Sequence, residues 1–210
     1  MAGAFYTPEY IVDYIIEKVI EKNPNIMLCD CSCGSGAFLV SSTEKIAKIH
    51  QKSIISTIED NIYGVDINPR SVDRSKIILT LLALQNNEDN ELIKFNIKVG
   101  DSLNPFKFSW NKEFPNVFEK GGFDAVVGNP PYVRIQNLDK EVRKIIQKKW
   151  YVAKSGSIDL YIAFFELGMK KLLNEKGKLG YITPNSYFTS AARKNLRILM
   201  KADKKIKEII

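Results

Sequence analysis

The sequence is poor in the residues that build disulfide frameworks and metal centres. It contains one histidine, His50, and three cysteines, Cys29, Cys31 and Cys33, which lie within five residues of one another. An odd number of thiols packed this closely does not form a disulfide framework, and the spacing is too tight for the paired ligands of a zinc site. We therefore expect no bound metal and a reducing, cytoplasmic setting.

Long apolar runs and flexible linkers are absent as well. No apolar run approaches the roughly 18–20 residues that cross a bilayer, and the opening MAGAFYTPEY lacks the basic and hydrophobic stretches of a secretory signal. No internal repeat or Pro/Gly/Ser-rich segment divides the 210 residues, and this length suits one hydrophobic core. The sequence therefore predicts a single domain over residues 1–210.

Charge is distributed unevenly along the chain. The whole sequence holds 31 basic and 24 acidic residues, a net charge of +7. Residues 1–132 contain 13 basic and 17 acidic residues, whereas residues 133–210 contain 18 basic and 7 acidic ones. This asymmetry indicates an acidic partner that meets the second half, although lysines that only coat solvated helix faces would produce the same counts.

Short apolar runs alternate with helical patterns, which predicts an α/β fold with an open, mostly parallel sheet and helices on both faces. The predicted strands are 26–29, 62–65, 95–99, 123–127 and 179–182, and the predicted helices are 10–20, 37–50, 71–84, 158–173 and 191–200, with 104–122 irregular. Parallel sheets bind ligands at the carboxyl ends of their strands. Polar or turn residues follow every predicted strand, so we expect one shared site formed by Asp30, Asp66, Asp101, Asn129 and Pro184.

A glycine-containing loop, Asp30-Cys-Ser-Cys-Gly34-Ser-Gly36, joins the first predicted strand to a helix. Its glycines permit a tight turn and a close approach of a ligand to the main chain. NAD enzymes use a similar loop, but here the third glycine is missing and an acid stands four residues before the first glycine. A carboxylate at Asp30 suits the ammonium group of an amino-acid-like ligand better than a pyrophosphate.

Asp66 and Asp101 follow the next two predicted strands. Asp66 is placed to accept hydrogen bonds from ribose hydroxyls, and Asp101 is placed to bind the exocyclic amine of an adenine ring. Either residue alone could be a helix cap or a turn residue. Three aspartates at neighbouring strand ends favour a nucleoside-containing ligand.

The tetrad Asn129-Pro130-Pro131-Tyr132 follows the predicted strand 123–127. The proline pair removes two backbone donors and stiffens the turn. The amide oxygen of Asn129 and the carbonyl of Pro130 can each accept one hydrogen of a planar amine while Tyr132 stacks on its ring. Two acceptors outside the ring plane favour a pyramidal amine with a localised lone pair, which stabilises the transition state of methyl transfer. The alternative is a rigid turn with a packed tyrosine.

Together these motifs resemble those of the gamma-type N6-adenine DNA methyltransferases, the catalytic domains of bacterial restriction–modification methylases. The likeness spans nearly the whole chain, since Phe5-Tyr6-Thr7-Pro8 resembles the family's N-terminal motif and residues 159–161 and 180–188 resemble later ones. The tetrad alone is shared with other amine methylases. The resemblance implies a Rossmann-like fold that binds S-adenosylmethionine and methylates the N6 amine of an adenine flipped out of DNA.

The resemblance also implies roles for single residues. Catalytic roles fall on the tetrad, Asn129, Pro130, Pro131 and Tyr132. The implied cofactor contacts come from Tyr6, Thr7, Asp30, Cys33, Gly34, Gly36, Asp66, Ile67, Asp101, Ser102 and Asn129.

Three departures from the family's pattern stand out. Cys31-Ser32 replaces the usual Pro-Ala, and Ala192 falls where many relatives carry an aromatic that packs the flipped base, with Tyr187 and Phe188 as nearby substitutes. The resemblance further implies that the chain stops before the family's closing strand and target-recognition domain, so the C-terminal strands of the sheet are truncated. The remainder of the parent protein is therefore an expected partner.

Several interpretations stay open at this point. The tetrad does not separate aromatic from amide amines, so a protein glutamine or an RNA base is an alternative acceptor. A non-catalytic fragment that docks on DNA or on a partner is another alternative. Lys144, Lys148 and Lys149 beside Trp150 and Tyr151 suit contact with phosphates, and they suit a solvated helix face equally well.

Overall fold

The computed structural model describes residues 7–20, 23–89, 92–154, 158–203 and 208. The strands in these ranges are β1 Leu28–Asp30, β2 Ile62–Asp66, β3 Asn96–Val99, β4 Phe123–Gly128 and β5 Leu173–Tyr181. They pair in parallel into one sheet with the order β3-β2-β1-β4-β5. The expected parallel α/β sheet is confirmed. Its strand order reverses between β1 and β4, where such sheets bind ligands.

Helices cover both faces of this sheet. Their bounds are α1 Glu9–Val19, α2 Ala37–His50, α3 Ile54–Asn61, α4 Pro69–Gln85, α5 Trp110–Glu113, α6 Pro115–Glu119, α7 Lys140–Lys149, α8 Tyr161–Leu167 and α9 Lys194–Asp203. None of the helices in the described ranges is long and apolar enough to cross a membrane.

Two hydrophobic clusters, one on each face of the sheet, form the core. The first is aliphatic and joins α1, α2, α3 and α4, and the second is rich in aromatic rings and joins α5, α6, α8 and α9. Successive strand residues enter opposite clusters, as Leu28 and Cys29 do in β1 and Val126 and Val127 do in β4. This alternation is the period of two that a strand imposes on its side chains.

The C-terminal half departs from the predicted elements. The predicted helix 158–173 is shorter, because Ile158 and Leu160 pair with the segment after the tetrad, with Ile135 N donating to Ile158 O and Leu160 N to Val133 O. Helix α8 starts only at Tyr161 and ends in a π-helical turn over Gly168–Leu172. The last strand starts at 173 rather than 179, because its polar first half pairs with β4 through an irregular register.

Four helices, α3, α5, α6 and α7, were not predicted as elements. The segment 104–122 contains α5 and α6, and α3 follows α2 almost directly. The start of α3 is stabilised from a distance, since the carboxylate of Glu88 accepts hydrogen bonds from the backbone N–H groups of Ile54 and Ile55 at 2.7 and 2.8 Å. This contact across more than thirty residues leaves no local signal in the sequence, whereas the Ser53 side chain, which accepts a hydrogen bond from Ser56 N at 3.0 Å, is a local N-cap of the same helix. The expected truncated strand near residues 207–210 falls largely outside the described residues.

The aromatic cluster offers a test of where the stability lies. Phe123 is fully buried, and the rings of Tyr63, Trp110, Phe114 and Phe118 surround it at centroid distances of 5.3 to 6.3 Å. We expect Phe123→Ala to lower the free energy of unfolding by about 3–5 kcal/mol, because it opens a cavity among these rings. The control Phe106→Ala removes a ring that is 82% exposed and should change the value by less than about 0.5 kcal/mol. Urea denaturation measures both, and equal effects would contradict the assignment of the core.

Candidate active site

Three loops meet at the carboxyl edge of the sheet and are hydrogen-bonded to one another. The loop after β1 donates from Cys33 N to Val65 O at 3.0 Å and from Gly34 N to the carboxylate of Asp66 at 2.9 Å. The loop after β3 is tied to the loop after β1, because the Ser102 hydroxyl donates to Cys31 O at 2.6 Å. The predicted strand-end residues therefore share one edge, as the sequence indicated.

The two glycines of the first loop are required for different reasons. Both have left-handed backbone conformations, with φ of 53° at Gly34 and 93° at Gly36. A Cβ on Gly36 would lie 2.9 Å from the Cβ of Ser75, so this glycine lets α4 pack closely against the start of α2. A Cβ on Gly34 would meet no atom within 4 Å. The main chain at Gly34 is therefore open to a ligand.

Asp30 is a buried carboxylate with few partners. Its side chain is 2% exposed, and it accepts a hydrogen bond from Ser32 N at 2.9 Å. Burial raises the pKa of Asp30 from 3.8 to about 7, while the Ser32 N–H group lowers it and the charge of Asp66 raises it. Within the described residues Asp30 forms no ion pair, and the Ser32 hydroxyl beside it is buried without a hydrogen-bond partner. These polar atoms suit a ligand that brings a cationic donor.

Gly128, the last residue of β4, makes room for this carboxylate. A Cβ at position 128 would lie 2.6 Å from Asp30 Oδ1, and the φ of Gly128 is 146°. The strand that leads into the tetrad is thus in contact with the acid of the glycine loop. The two motifs are adjacent in space although about 100 residues separate them in sequence.

The other predicted acids also hold their own loops. Both carboxylate oxygens of Asp66 accept backbone N–H groups, from Gly34 at 2.9 Å and from Asn68 at 2.8 Å, and each oxygen keeps a lone pair for a ligand. Asp101 accepts a longer bond, 3.3 Å, from Leu103 N. Ile67, next to Asp66, leaves 69% of its side chain exposed. This apolar surface next to Asp66 suits the face of a planar ring.

Two of the predicted cofactor contacts point away from the edge. The hydroxyl of Ser102 is used by Cys31 O, and the Cys33 side chain is buried in the aliphatic cluster. At these positions only main-chain atoms remain available to a ligand. Tyr6 lies outside the described residues.

The tetrad is linked to the N-terminal motif and to the segment after β5. Asn129 Nδ2 donates to Thr7 Oγ1 at 2.9 Å, and Thr7 is itself buried. The Tyr132 hydroxyl donates to Asn129 Oδ1 and lies 3.0 Å from Ile182 O. One hydroxyl proton cannot satisfy two carbonyl oxygens at once. Among the described residues these two oxygens outnumber the one hydroxyl proton that reaches them, which suits an amine with two hydrogens.

Tyr132 is a half-buried donor rather than a base. Its ring packs edge-to-face against Tyr161 at 5.9 Å. Burial raises the pKa of Tyr132 to about 12, with a further contribution from Tyr161, so the hydroxyl keeps its proton near neutral pH. The acceptor oxygen of Ile182 belongs to the backbone. Sequence reasoning missed it because a carbonyl carries no residue-specific signal.

The two aromatic substitutes for a base clamp differ in exposure. Tyr187 is 7% exposed and packs on Phe165 at 5.8 Å, whereas Phe188 is 42% exposed and lies on Tyr187 with a centroid distance of 4.4 Å. Tyr187 is therefore part of the core, and Phe188 presents a ring face to solvent. The side chain of Ala192 lies outside what the structure describes.

The neighbouring segment is held by an ion pair. Arg193 binds the carboxylate of Asp159, and both side chains are mostly buried. Because residue 159 is bridged to Arg134, just after the tetrad, this ion pair fixes the wall beside Tyr132. Among the described residues no three His, Cys, Asp or Glu side chains converge as metal ligands would.

The pKa of Asp30 leads to a pH test on the protein without ligand. The folded state holds the proton of the Asp30 carboxyl more tightly than the unfolded state does. The contribution of this proton to the free energy of unfolding is therefore complete below about pH 4 and is lost as pH rises to about 7. We expect the free energy of unfolding of the natural protein, relative to Asp30→Asn, to fall by up to about 3 kcal/mol between pH 5 and pH 8. Denaturant titrations at both pH values measure this. For the exposed control Asp73→Asn, the free energy of unfolding should change with pH as it does in the natural protein. If the difference in this free energy between the natural protein and Asp30→Asn did not change with pH, the raised pKa of Asp30 would be wrong.

Comparison with known proteins places the chain in a family. The sequence model of the Eco57I restriction-modification methylases matches residues 60–210. The type II methyltransferase M.BstVI of Geobacillus stearothermophilus is 28% identical over all of this chain and 38% of its own length. The adenine-specific methyltransferase PglX of Streptomyces coelicolor is 25% identical over 86% of this chain and 19% of its own length.

A solved structure shows the same fold. The ATP-dependent type ISP restriction-modification enzyme LlaBIII bound to DNA superimposes with a TM-score of 0.71 at 19% identity, covering 94% of this chain and 16% of that one. The chain spans less than two fifths of the length of the curated relatives named above. Because the family match covers more than two thirds of its residues, this chain belongs to the Eco57I restriction-modification methylase family.

Proposed function

We propose that this chain is the catalytic domain of a DNA adenine methyltransferase, which transfers a methyl group from S-adenosylmethionine to the N6 amine of adenine. The observation that carries the proposal is the contact between two motifs at one edge of the sheet. The tetrad presents the Asn129 oxygen, and the loop after β1 presents the buried, unpaired carboxylate of Asp30, with Gly128 allowing the two to meet. Family membership and the names of the relatives support the same chemistry.

The residues at this edge fit S-adenosylmethionine. The ammonium of its amino-acid end would give Asp30 the cationic partner that it lacks among the described residues, and it would donate a hydrogen bond to the Ser32 hydroxyl. Asp66 has lone pairs for the ribose hydroxyls, and Asp101 and Ile67 would meet the adenine. The remaining predicted contacts are Tyr6, Thr7, the main chain at Cys33, Gly34, Gly36 and Ser102, and Asn129. When bound, the cofactor supplies an electrophilic methyl group.

The tetrad would prepare the substrate amine for attack on this methyl group. An adenine amine is a weak nucleophile, because its lone pair is delocalised into the ring. Acceptance of its two hydrogens by Asn129 Oδ1 and the Pro130 carbonyl pulls the amine out of the ring plane, and Pro131 stiffens the turn that holds both acceptors. The nitrogen would form its bond to the methyl carbon as the carbon–sulfur bond breaks and leaves its electron pair on sulfur, and one N6 proton would then pass from the cationic nitrogen to water. Tyr132, whose hydroxyl stays protonated, does not have to act as a base.

Tyr132 must move before it can stack on the base. In the present arrangement its hydroxyl occupies Asn129 Oδ1, the oxygen that the substrate amine needs. An incoming amine would replace this donor with its own, and the phenol ring would be released toward the base. In duplex DNA the N6 amine is paired, so the adenine has to be flipped out to reach the tetrad.

Direct assay of the acceptor tests the proposal. The intact protein is incubated with radiolabelled S-adenosylmethionine and, in competition, duplex DNA from an unmethylated host, RNA and bulk protein. We expect label in DNA, and mass spectrometry of the digested nucleosides should identify N6-methyladenine. Label in protein glutamine or in RNA would replace DNA adenine as the acceptor. Absence of transfer together with no calorimetric binding of the cofactor would favour a non-catalytic binding module.

Removal of the amide oxygen tests the catalytic residue. We expect Asn129→Ala to lower kcat by about 100-fold or more, the scale seen when one polar contact to a transition state is removed, while the affinity for S-adenosylmethionine changes little. The matched control is Asn137→Ala, an exposed asparagine eight residues further on, which should keep the natural rate. Filter-binding assays of methyl transfer give kcat. A natural rate in Asn129→Ala would remove this residue from the mechanism.

The exposed ring of Phe188 leads to a prediction about the flipped base. If Phe188 packs against the base in place of the residue at 192, Phe188→Ala should lose about 1–3 kcal/mol of base stacking, measured as a lower kcat/KM for DNA. Phe188→Tyr keeps a ring face and should retain most of the natural value. Phe106→Ala serves as the control for loss of an exposed ring. Equal kcat/KM in Phe188→Ala and the natural protein would exclude this ring as the clamp.

A further inference from the structure

Helix α7 lies at the same edge of the sheet as the tetrad. It begins eight residues after Tyr132, and the chain returns from it to Ile158–Leu160, which pairs with residues 133–135 beside the tetrad. At its end, the indole nitrogen of Trp150 donates to Leu103 O at 3.1 Å, in the loop after β3. The helix is therefore anchored to two loops of the candidate active site.

The structure distinguishes the roles of the two aromatic residues in the basic segment. Trp150 is 3% exposed and Ile146 is 3% exposed, so these residues attach the helix to the core. Tyr151, by contrast, keeps 41% of its side chain exposed. The aromatic residues of the segment thus divide into an internal anchor and an external ring.

The outer face of α7 carries a row of lysines. Lys140, Lys144 and Lys148 are all exposed and recur every four residues, which places them along one side of the helix. With a rise of about 1.5 Å per residue the row is roughly 12 Å long, comparable to the axial length of three to four phosphates of one DNA strand. Glu141 is the one acidic residue of the helix.

These lysines have no ion-pair partner in the part of the chain that the structure describes. Ion pairs within the described residues engage other basic side chains, such as Lys45 with Glu17 and Lys52 with Asp60, and none involves a lysine of α7. The charge of the row is therefore not neutralised by any acid among the described residues. The edge that would hold the cofactor, by contrast, is formed by the acids Asp30, Asp66 and Asp101.

We infer that the lysine row of α7, residues 140, 144 and 148, contacts the sugar–phosphate backbone of duplex DNA next to the adenine that enters the tetrad. This inference rests on the proposed function and adds the surface that positions the substrate. Regularly spaced, unpaired cations beside an exposed tyrosine match a linear polyanion. A row of this kind positions the duplex without reading its sequence.

The test uses the salt dependence of DNA binding by the intact protein. A labelled mixed-sequence DNA duplex is titrated at several salt concentrations with the natural protein and with Lys144→Gln/Lys148→Gln. Each phosphate contact contributes about 0.9 to the slope of log K against log salt, so loss of two contacts should make the slope shallower by about 2. Glutamine is a good helix former, and an unchanged melting temperature confirms that the variant is folded.

A matched control removes the same charge from the opposite edge. Lys120 and Lys176 are exposed and lie toward the amino ends of β4 and β5, so Lys120→Gln/Lys176→Gln should keep the natural slope. Equal slopes for the α7 variant and the natural protein would overturn the inference, as would equal losses in the two double variants. A slope change confined to an RNA duplex would also overturn it.

The same variants separate this inference from the proposed function. One outcome is that the natural protein methylates DNA while the α7 variant keeps the same salt slope of DNA binding and the same KM for DNA. In that case the lysine row is not the DNA-contacting surface, and the proposed activity stands. If the natural protein transfers no methyl group to DNA, the proposed function fails at the first step. A raised KM for DNA with an unchanged affinity for S-adenosylmethionine supports both.

Discussion

The parallel pairing of β1 with β4 is the constraint on which the candidate site depends. It sets Asp30 opposite Val127, so the acid that ends β1 lies beside the last residues before the tetrad. Gly128 makes this possible, because any side chain there would meet the Asp30 carboxylate at 2.6 Å. After β3 the chain crosses past β2 and β1 to form β4. This crossover brings the glycine loop and the Pro-Pro turn together at the point where the strand order reverses.

Charge follows the same architecture. The acids at the ends of β1, β2 and β3 lie on one side of the reversal, and the basic helix α7 follows β4 on the other. The acidic edge and the basic helix are therefore separate surfaces on either side of the tetrad, as the proposed cationic cofactor and anionic substrate would require. The one buried acid, Asp30, lacks a cationic partner among the described residues. Burial of this carboxylate without a cation is unfavourable for its charged form, and a cationic ligand would reduce this cost.

Elements with strong periodicity could be read from the sequence, and elements held by distant contacts could not. Helix α2 was predicted at its observed bounds, and the starts of β2 and β4 were predicted correctly, because these segments have a clear apolar pattern bounded by turn residues. Helix α3 was missed although Ser53 caps it locally, since it follows α2 almost directly and its first N–H groups are also held by the distant Glu88. The early start of β5 was missed because the polar segment 173–178 becomes a strand only by pairing with β4.

The sequence by itself determined which residues the candidate site contains: three acids and a tetrad at strand ends, a glycine loop, and a basic second half. These features follow from residue type and spacing, which can be recognised in the sequence without a structure. The tertiary structure decided which atoms are available. It turned the Ser102 hydroxyl and the Cys33 thiol inward, tied Asn129 to Thr7, and set the Tyr132 hydroxyl on the Asn129 oxygen. It also buried Tyr187 and exposed Phe188. Availability depends on hydrogen bonds and packing between segments far apart in the chain, and no local pattern encodes those contacts.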